Sequence, residues 1–339
     1  MQISTIGLDL AKRIFQVHGV DAAGTAVIRK ALRRSQLTAF FDKLPPCLVG
    51  IEASATAHHW GRELRARGHE VRLMPPSYVK AYVKRNKNDA ADAAAICEAV
   101  TRPSMRFVPI KSVEQQASLM LHRTRDLLVR QRTQLVNAVR AHLAELGIIA
   151  AQGRGGVKEL ITLATSDQLP EAVSACLQAL ILQLEMAQEQ ITGIERRIRA
   201  QHRASETSRR LEAIPGIGVI GATAITATVT EPTAFKSGRE FAAWIGLVPR
   251  QNSTGGKERL GGISKQGDRY LRRLLIVGAM AVIRHARCRP DKHPWLIQLL
   301  ARRPAKVVAV ALANKTARIA WAMLARGEHY RTPCRAAAA

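Results

Sequence analysis

The sequence predicts a mixed α/β domain at the N-terminus, then a long helical segment, then a mainly helical C-terminal domain. Three observations carry this reading. The first third alternates short strand-like apolar runs with helical patterns. The middle holds two long amphipathic stretches, the first of which, Ser112 to Leu146, has no Pro or Gly. The last third sets apolar helical segments beside Gly-rich loops and carries more than half of the net positive charge.

In order, Ile3–Leu8, Phe15–Val20 and Ala26–Arg29 read as strands, with the Asp21-Ala22-Ala23-Gly24 turn between the last two. Ser35–Leu44 reads as a helix opened by a Ser cap. Leu48–Glu52 is a strand and His58–Arg67 a helix ending at Gly68. Val71–Met74 is a strand stopped by Pro75-Pro76, and Lys87–Ala95 is rich in helix formers. Three strands in a meander, two αβ units and a helix make the ribonuclease H-like order.

Ser112–Leu146 places Leu119, Leu127, Leu128, Leu135, Val139 and Leu143 at roughly helical spacing, with Gly147 just past its end. Gln152–Gly156 reads as a Gly-rich break, and Glu171–His202 as the second long helix. Such a pair suits an antiparallel hairpin within one chain or an oligomerising coiled coil equally well. Beyond it come Ala213–Ile220, the stretch Thr223–Val229, a Gly-rich loop at Gly246–Gly262, and helices at Asp268–His285 and Lys306–Ala325. The expected domains are 1–110, 111–205 and 206–330, with a disordered tail at 331–339.

The 339 residues carry a net charge of +26 and a pI near 11.0. A basic excess of this size points to a polyanionic partner, nucleic acid before a membrane surface. The longest uninterrupted apolar run, Leu274–Ile283, is short of the roughly 18 residues of a spanning helix. No basic n-region precedes the first apolar stretch, so no signal peptide is expected. Cys47, Cys97, Cys176, Cys288 and Cys334 lack zinc-ligand spacing and read as free thiols of a cytoplasmic protein. With aromatics at 4%, base stacking on an aromatic platform is not the expected binding mode.

Against this basic background, four acids stand out. Asp9 and Glu52 end apolar strands, and strand alternation sets them beside the small residues Gly7 and Gly50. Asp89 and Asp92, three apart, share a helix face. Hard divalent cations take such oxygen ligands, and paired ions can activate an attacking oxygen and stabilise a leaving one. Compensation of a helix dipole is the bland account of Asp89 and Asp92, but it does not reach Asp9 and Glu52.

Pro215-Gly216-Ile217-Gly218 resembles the hairpin of a helix-hairpin-helix, where Gly216 and Gly218 let backbone N–H groups approach a phosphate. A tight turn between buried helices reads the same. In Asn252-Ser253-Thr254-Gly255-Gly256-Lys257-Glu258-Arg259, a hydroxyl beside two cations suits attack on a phosphodiester. From spacing alone, a loop that only contacts phosphate is the better account. Lys265, Arg269, Arg272 and Arg273 form one helix stripe, and from Arg250 onward 19 Lys/Arg face 4 Asp/Glu. That imbalance favours a nucleic-acid surface over a merely solvated face. Lys80, Lys84, Arg85 and Lys87 form a smaller basic cluster before Asp89, while His58-His59-Trp60 is expected to be structural.

Five motifs in order resemble the insertion-sequence 110 family of transposases, in the form of its 1111 branch: Gly7–Lys12, Gly50–Ala53, Lys87–Ala93, Ile214–Gly218 and Gly246–Lys257. The resemblance covers nearly the whole chain. It implies a RuvC-like DEDD domain, a coiled coil, and a transposase domain with a nucleophilic serine. Asp9, Glu52, Asp89 and Asp92 match the DEDD quartet, with Mg²⁺ or Mn²⁺ as the metal, and Ser253 matches the serine. Thr254 follows it where many relatives have Gly. The resemblance further implies donor and target DNA, a structured noncoding bridge RNA that pairs with both, and homodimers assembling into a tetramer. In that assembly the acids of one subunit complete a site with the serine of another.

Two other readings remain at this level: a hydrolytic junction endonuclease in which water attacks, and a non-catalytic RNA-binding scaffold. An association with the nucleoid and no membrane partner complete the expectation.

Overall fold

The computed structural model describes residues 2–83, 88–151, 153–166 and 169–331. Lys84, Arg85 and Lys87 of the small basic cluster, Cys334 and the tail from residue 332 onward lie outside the described residues. The chain divides into two units, Met1–Glu114 and Gln115–Ala339.

The first unit is a mixed five-stranded sheet in the order β3-β2-β1-β4-β5. Its strands are β1 (Thr5–Asp9), β2 (Ile14–Val20), β3 (Ala26–Arg33), β4 (Leu48–Glu52) and β5 (Glu70–Met74). The first three run antiparallel as a meander, while β4 lies parallel to β1 and β5 parallel to β4. Among the described residues, four helices accompany them: α1 (Leu37–Phe41), α2 (Ala57–Ala66), α3 (Pro76–Val79) and α4 (Asp89–Val100). β3 runs four residues beyond the expected strand, because Arg29, Lys30 and Ala31 hide its apolar alternation while pairing with β2 through His18, Val17 and Gln16. Charged side chains of this kind protect an edge strand from further pairing.

Alternation divides the sheet's two faces. Ile6, Leu8, Phe15, Val17, Val49, Ile51, Val71 and Leu73 point to one side, where Leu37, Phe41, Trp60 and Leu64 of α1 and α2 complete a core. Burying each such side chain is worth roughly 1.5–3 kcal/mol. The opposite face is covered by α4, whose Ile96, Ala99 and Val100 pack with Met74 and Val79. Gly7 makes that approach possible, because a Cβ there would sit on the Ala93 carbonyl oxygen and within 2.7 Å of Cys97 Cβ. Gly50, paired with Gly7 in the neighbouring strand, would meet Val100 Cβ at 2.7 Å in the same way. His58-His59-Trp60 is structural, as expected: His58 Nδ1 accepts the Lys111 N–H at 3.2 Å, and Trp60 packs edge-on to Phe15.

Among the described residues, the second unit is helical apart from its loops and one hairpin. It takes in nearly all of α5 (Val113–Ala144), then α6 (Gly153–Ala164), α7 (Glu171–Ala204), α8 (Glu206–Glu212), α9 (Val219–Thr228) and α10 (Gly238–Ile245). The hairpin strands β6 (Pro249–Gln251) and β7 (Leu260–Ile263) follow, then α11 (Arg269–Cys288), α12 (Pro294–Arg302) and α13 (Ala305–Arg326). The expected Gly-rich break gives way to α6, whose Leu160 and Ala164 find a core with Val139, Leu143, Leu177 and Ile181. Ser118 bonds Gln201, Arg125 bonds Glu195 and Arg132 bonds Gln188, so α5 and α7 pair antiparallel within one chain.

The main core of this unit gathers α9, α10, α11 and α13. Helix α13 is long and apolar enough to cross a membrane by length and composition. Its Val308, Ala309, Ala313, Ala317, Ala320 and Met323 are spent instead on this protein core. Helix α9 is rich in β-branched residues, which are weak helix formers. Burial of Ala222, Ala224 and Ile225 overrides that weakness, and the Thr223 and Thr228 hydroxyls donate to carbonyls four residues back at 2.8 and 2.7 Å.

Candidate active site

β1 carries Thr5, Gly7 and Asp9 on the face that α4 covers, and β4 carries Gly50 and Glu52 on the same face. The register Leu8↔Ile51 brings Asp9 and Glu52 to adjacent ends of two parallel strands. Helix α4 begins over those ends. Asn88 caps it, its side chain accepting the Ala91 N–H at 2.8 Å. The first turn then offers Asp89 and Asp92.

One carboxylate oxygen from each of Asp9, Asp89 and Asp92 lies within 4.8 Å of the others. Glu52, half-buried on the neighbouring strand, is not part of that close set. Asp9 and Asp92 are half-buried and Asp89 is exposed, so the cluster opens to solvent on one side. Three like charges at this separation repel, and a cation among them offsets the repulsion. The donors are all carboxylate oxygens, the set that suits Mg²⁺ or Mn²⁺ rather than a soft metal. The dipole of α4 also favours acids in its first turn, but it has no bearing on Asp9, which comes from the sheet.

Ser253 belongs to the second unit, in the β6–β7 hairpin. The expected loop is an ordered turn. Thr254 and Lys257 bridge each other, with their N–H···O bonds at 3.3 and 3.1 Å, and Gly255 and Gly256 both have positive φ, 56° and 74°. Two successive positive φ values mark a type I′ turn. Ser253 stands at the turn's base, exposed, its Oγ accepting the Arg259 N–H at 3.2 Å. Lys257 and Arg259 are exposed beside it. Arg250 on β6 is exposed and reaches the Ser264 carbonyl at 3.4 Å. Lys265 is exposed with φ 56°, an unusual conformation for a side chain with a Cβ.

The basic stripe is broken at Arg272. The spacing predicts an outward cation, but its guanidinium is buried and donates to the Ile245 carbonyl at 2.7 Å and the Gln266 carbonyl at 2.6 Å. It ties α11 to the loops at either side of the hairpin. Arg269 remains exposed, and Arg273, also exposed, pairs with Asp126. In the Pro-Gly-Ile-Gly segment the two glycines differ. Gly216 has φ 90° and lies against Gly278 of α11, whose own Cβ would strike the Gly216 carbonyl, so it serves packing. Gly218 is the exposed N-cap of α9 with open space about it.

Several groups lack a legible sequence signal. His202 bonds Ser208 at 2.8 Å through Nδ1 and Glu212 at 2.9 Å through Nε2. Ser208 is completely buried, so this trio clasps the junction of α7 and α8 rather than presenting a nucleophile. His122 is buried and bonds the Tyr270 hydroxyl at 3.2 Å. Burial, with a smaller push from Arg125, holds its imidazole down at about 4. Four described cysteines are free, and burial pushes the Cys47 and Cys97 thiols up to about 11, too high for a nucleophile at neutral pH.

Two family models match the chain. One, described as "Transposase IS116/IS110/IS902 family", covers residues 208–294 and so spans Gly216, Gly218 and Ser253. The other, a DEDD transposase model of the IS110 type described as "Transposase", covers residues 6–148 and spans all four acids. The "Probable family 20 transposase" of Pseudomonas aeruginosa is 52% identical over 98% of this chain and 99% of its own length. The "Transposase for insertion sequence element IS1328" of Yersinia enterocolitica is 42% identical over 96% of this chain and 98% of its own. The "Transposase for insertion sequence element IS1111A" of Coxiella burnetii is 41% identical over 97% and 92%.

Proposed function

Because this chain belongs to the IS116/IS110/IS902 family of insertion-sequence transposases, we propose that it is a metal-dependent DNA recombinase with a serine nucleophile and an RNA guide. The observation that carries the reading is the convergence of Asp9, Asp89 and Asp92 where α4 begins over the end of β1, with Glu52 on the adjoining strand end. The strand order and the position of the acids favour a ribonuclease H-like, RuvC-like nuclease unit.

Asp9, Asp89 and Asp92 are the residues that hold Mg²⁺ or Mn²⁺, with Glu52 as the fourth ligand from the neighbouring strand. A divalent ion bound there supplies Lewis acidity to the scissile phosphate and lowers the cost of charge developing on the departing oxygen. Ser253 of another subunit in the assembly forms an ester bond to that phosphorus. The phosphodiester P–O bond breaks, and the departing strand's oxygen becomes a hydroxyl with the proton that serine gives up. Attack by a second strand's hydroxyl then reverses the exchange, frees Ser253 and rejoins DNA without an outside energy source. Lys257 and Arg259, exposed beside Ser253, are placed to offset charge on the phosphate.

Arg250, Lys265, Arg269 and Arg273 extend this cationic surface along the nucleic-acid backbone, together with the backbone at Gly218. Lys84, Arg85 and Lys87, which precede Asp89 in the sequence, are further phosphate contacts. Contacts of this kind hold phosphates without reading bases. A structured noncoding RNA pairing with donor and target DNA supplies the sequence information instead. The low aromatic content agrees with that division. The exposed apolar Met120 and Leu127 on α5, with Leu182 and Met186 on α7, favour helix contacts between copies in a homodimer that assembles to a tetramer. The protein works in the cytoplasm on the nucleoid, with no membrane partner.

The test is strand exchange with the full chain, Mg²⁺, RNA transcribed from the element's flank and DNA carrying its ends. Ser253→Ala is expected to abolish both exchange and the denaturation-resistant protein–DNA adduct. Cleavage without an adduct in the unsubstituted protein would make water the nucleophile and the chain a hydrolytic endonuclease.

A further inference from the structure

A cavity of about 450 Å³ lies beside the acid cluster, between α4 and the β2–β3 hairpin. No motif in the sequence marks it. Gln16, His18 and Arg29 line its sheet side, and Ala90, Ala91 and Ala94 line its helix side. Register explains the arrangement. Asp9 pairs with Gln16 and Gly7 with His18, while His18 pairs with Arg29 and Gln16 with Ala31. Cross-strand partners share a face, so Gln16 lies beside Asp9 in one row, and His18 and Arg29 form the next row on that same face of the sheet. On the helix, Ala90, Ala91 and Ala94 occupy the side next to Asp89 and Asp92.

The chemistry of the walls differs from that of the acids. Arg29 brings a fixed charge and a planar fork of donors suited to phosphate. Gln16 adds an amide, and His18 adds an imidazole that burial and then the nearby Arg29 keep below its usual pKa, so it acts as a neutral partner. The three alanines present a flat apolar wall on which a sugar can lie. The volume falls within the range of small-ligand pockets, enough for one nucleotide.

We propose that this pocket seats the nucleotide next to the scissile phosphate, with the Arg29 guanidinium on its phosphate, Gln16 and His18 as polar partners, and its sugar against Ala91 and Ala94. This rests on the metal-nuclease reading of the acids. Arg29 is thus a positioning residue. It registers the strand so that the neighbouring phosphate reaches Asp9, Asp89 and Asp92.

The experiment is a cycle between protein and substrate. The full chain with its RNA and Mg²⁺ cuts element-end DNA in which single phosphates are replaced, one at a time, by uncharged methylphosphonates. At one position flanking the cut, the replacement is expected to slow wild-type cleavage roughly 10-fold, about the loss of one charged hydrogen bond. Arg29→Ala is expected to slow cleavage of ordinary DNA by a similar factor, mainly through KM, and to be insensitive to that same replacement. Arg29→Lys restores part of the rate, and Ala94→Leu, which fills the pocket, reproduces the loss. If Arg29→Ala and wild type respond alike to every replacement, the pocket proposal is overturned while the acid site stands. If Asp9→Asn cuts at the wild-type rate, the metal reading falls and the pocket proposal with it.

Discussion

The acid cluster and the Ser253 hairpin are built in opposite ways. Asp9 and Glu52 end strands buried in a five-stranded sheet, and α4 is pressed onto that sheet through Gly7 and Gly50. The hairpin exposes every residue of β6 and nearly all of β7, and it is held by its turn and a few backbone bonds. A cation needs several ligands fixed at once, which a packed sheet and helix provide. The nucleophile proposed for the second region needs access, and an exposed turn provides that. Preorganisation is therefore expected in the first region, and order gained on binding nucleic acid in the second.

The largest test of the contrast is a glycine swap in each region. Gly7→Ala puts a methyl group where the Ala93 carbonyl stands, so α4 must lift. A loss of ~3 kcal/mol in urea denaturation and of all cleavage is expected. Gly262→Ala on β7 meets open space and is expected to leave stability unchanged. Equal effects would erase the distinction.

The arginines of α11 sharpen it next. Arg272→Ala strips partners from the Ile245 and Gln266 carbonyls and is expected to cost about 2–3 kcal/mol by the same measurement. Arg269→Ala, on the exposed side, is expected to leave stability within about 0.5 kcal/mol. It weakens DNA binding instead and lowers the salt slope by about one unit. His122 gives the second unit a pH signature. An open chain takes up its proton near 6.5, whereas the folded imidazole holds out to about 4. The stability it contributes is whole above pH 6.5, declines as pH falls and is lost near pH 4, up to ~3 kcal/mol in all. His122→Gln is expected to flatten that part of the stability profile.

The smallest effect is at the helix cap. Asn88→Ala removes the bond to the Ala91 N–H and is expected to cost about 1 kcal/mol, fraying the turn that bears Asp89 and Asp92. Manganese affinity falls a few-fold while the hairpin is unaffected.

The two regions also differ in how far the sequence reveals them. Period-two alternation around Gly7 and Gly50 marks β1 and β4, and with them the placement of Asp9 and Glu52 on one face. Three-residue spacing pairs Asp89 with Asp92. These are local patterns, and the sheet preserves them. What escapes is set by tertiary packing. Spacing puts Arg272 on an outward stripe, yet two stray carbonyls draw it inward. Gly255 and Gly256 read as part of a Gly-rich loop and form a tight turn. Gln152–Gly156 reads as a break, but apolar side chains further along make α6 a helix. The pocket of Gln16, His18 and Arg29 depends on cross-strand register, which no single segment encodes.

Calorimetric titration of Mn²⁺ onto the full chain, its Asp89→Asn variant and its Ser253→Ala variant tests most directly whether the acids form a cation site that is complete without the serine. Asp89→Asn is expected to weaken binding at least ~10-fold, and Ser253→Ala to bind as wild type does. Binding in Asp89→Asn indistinguishable from wild type would contradict it.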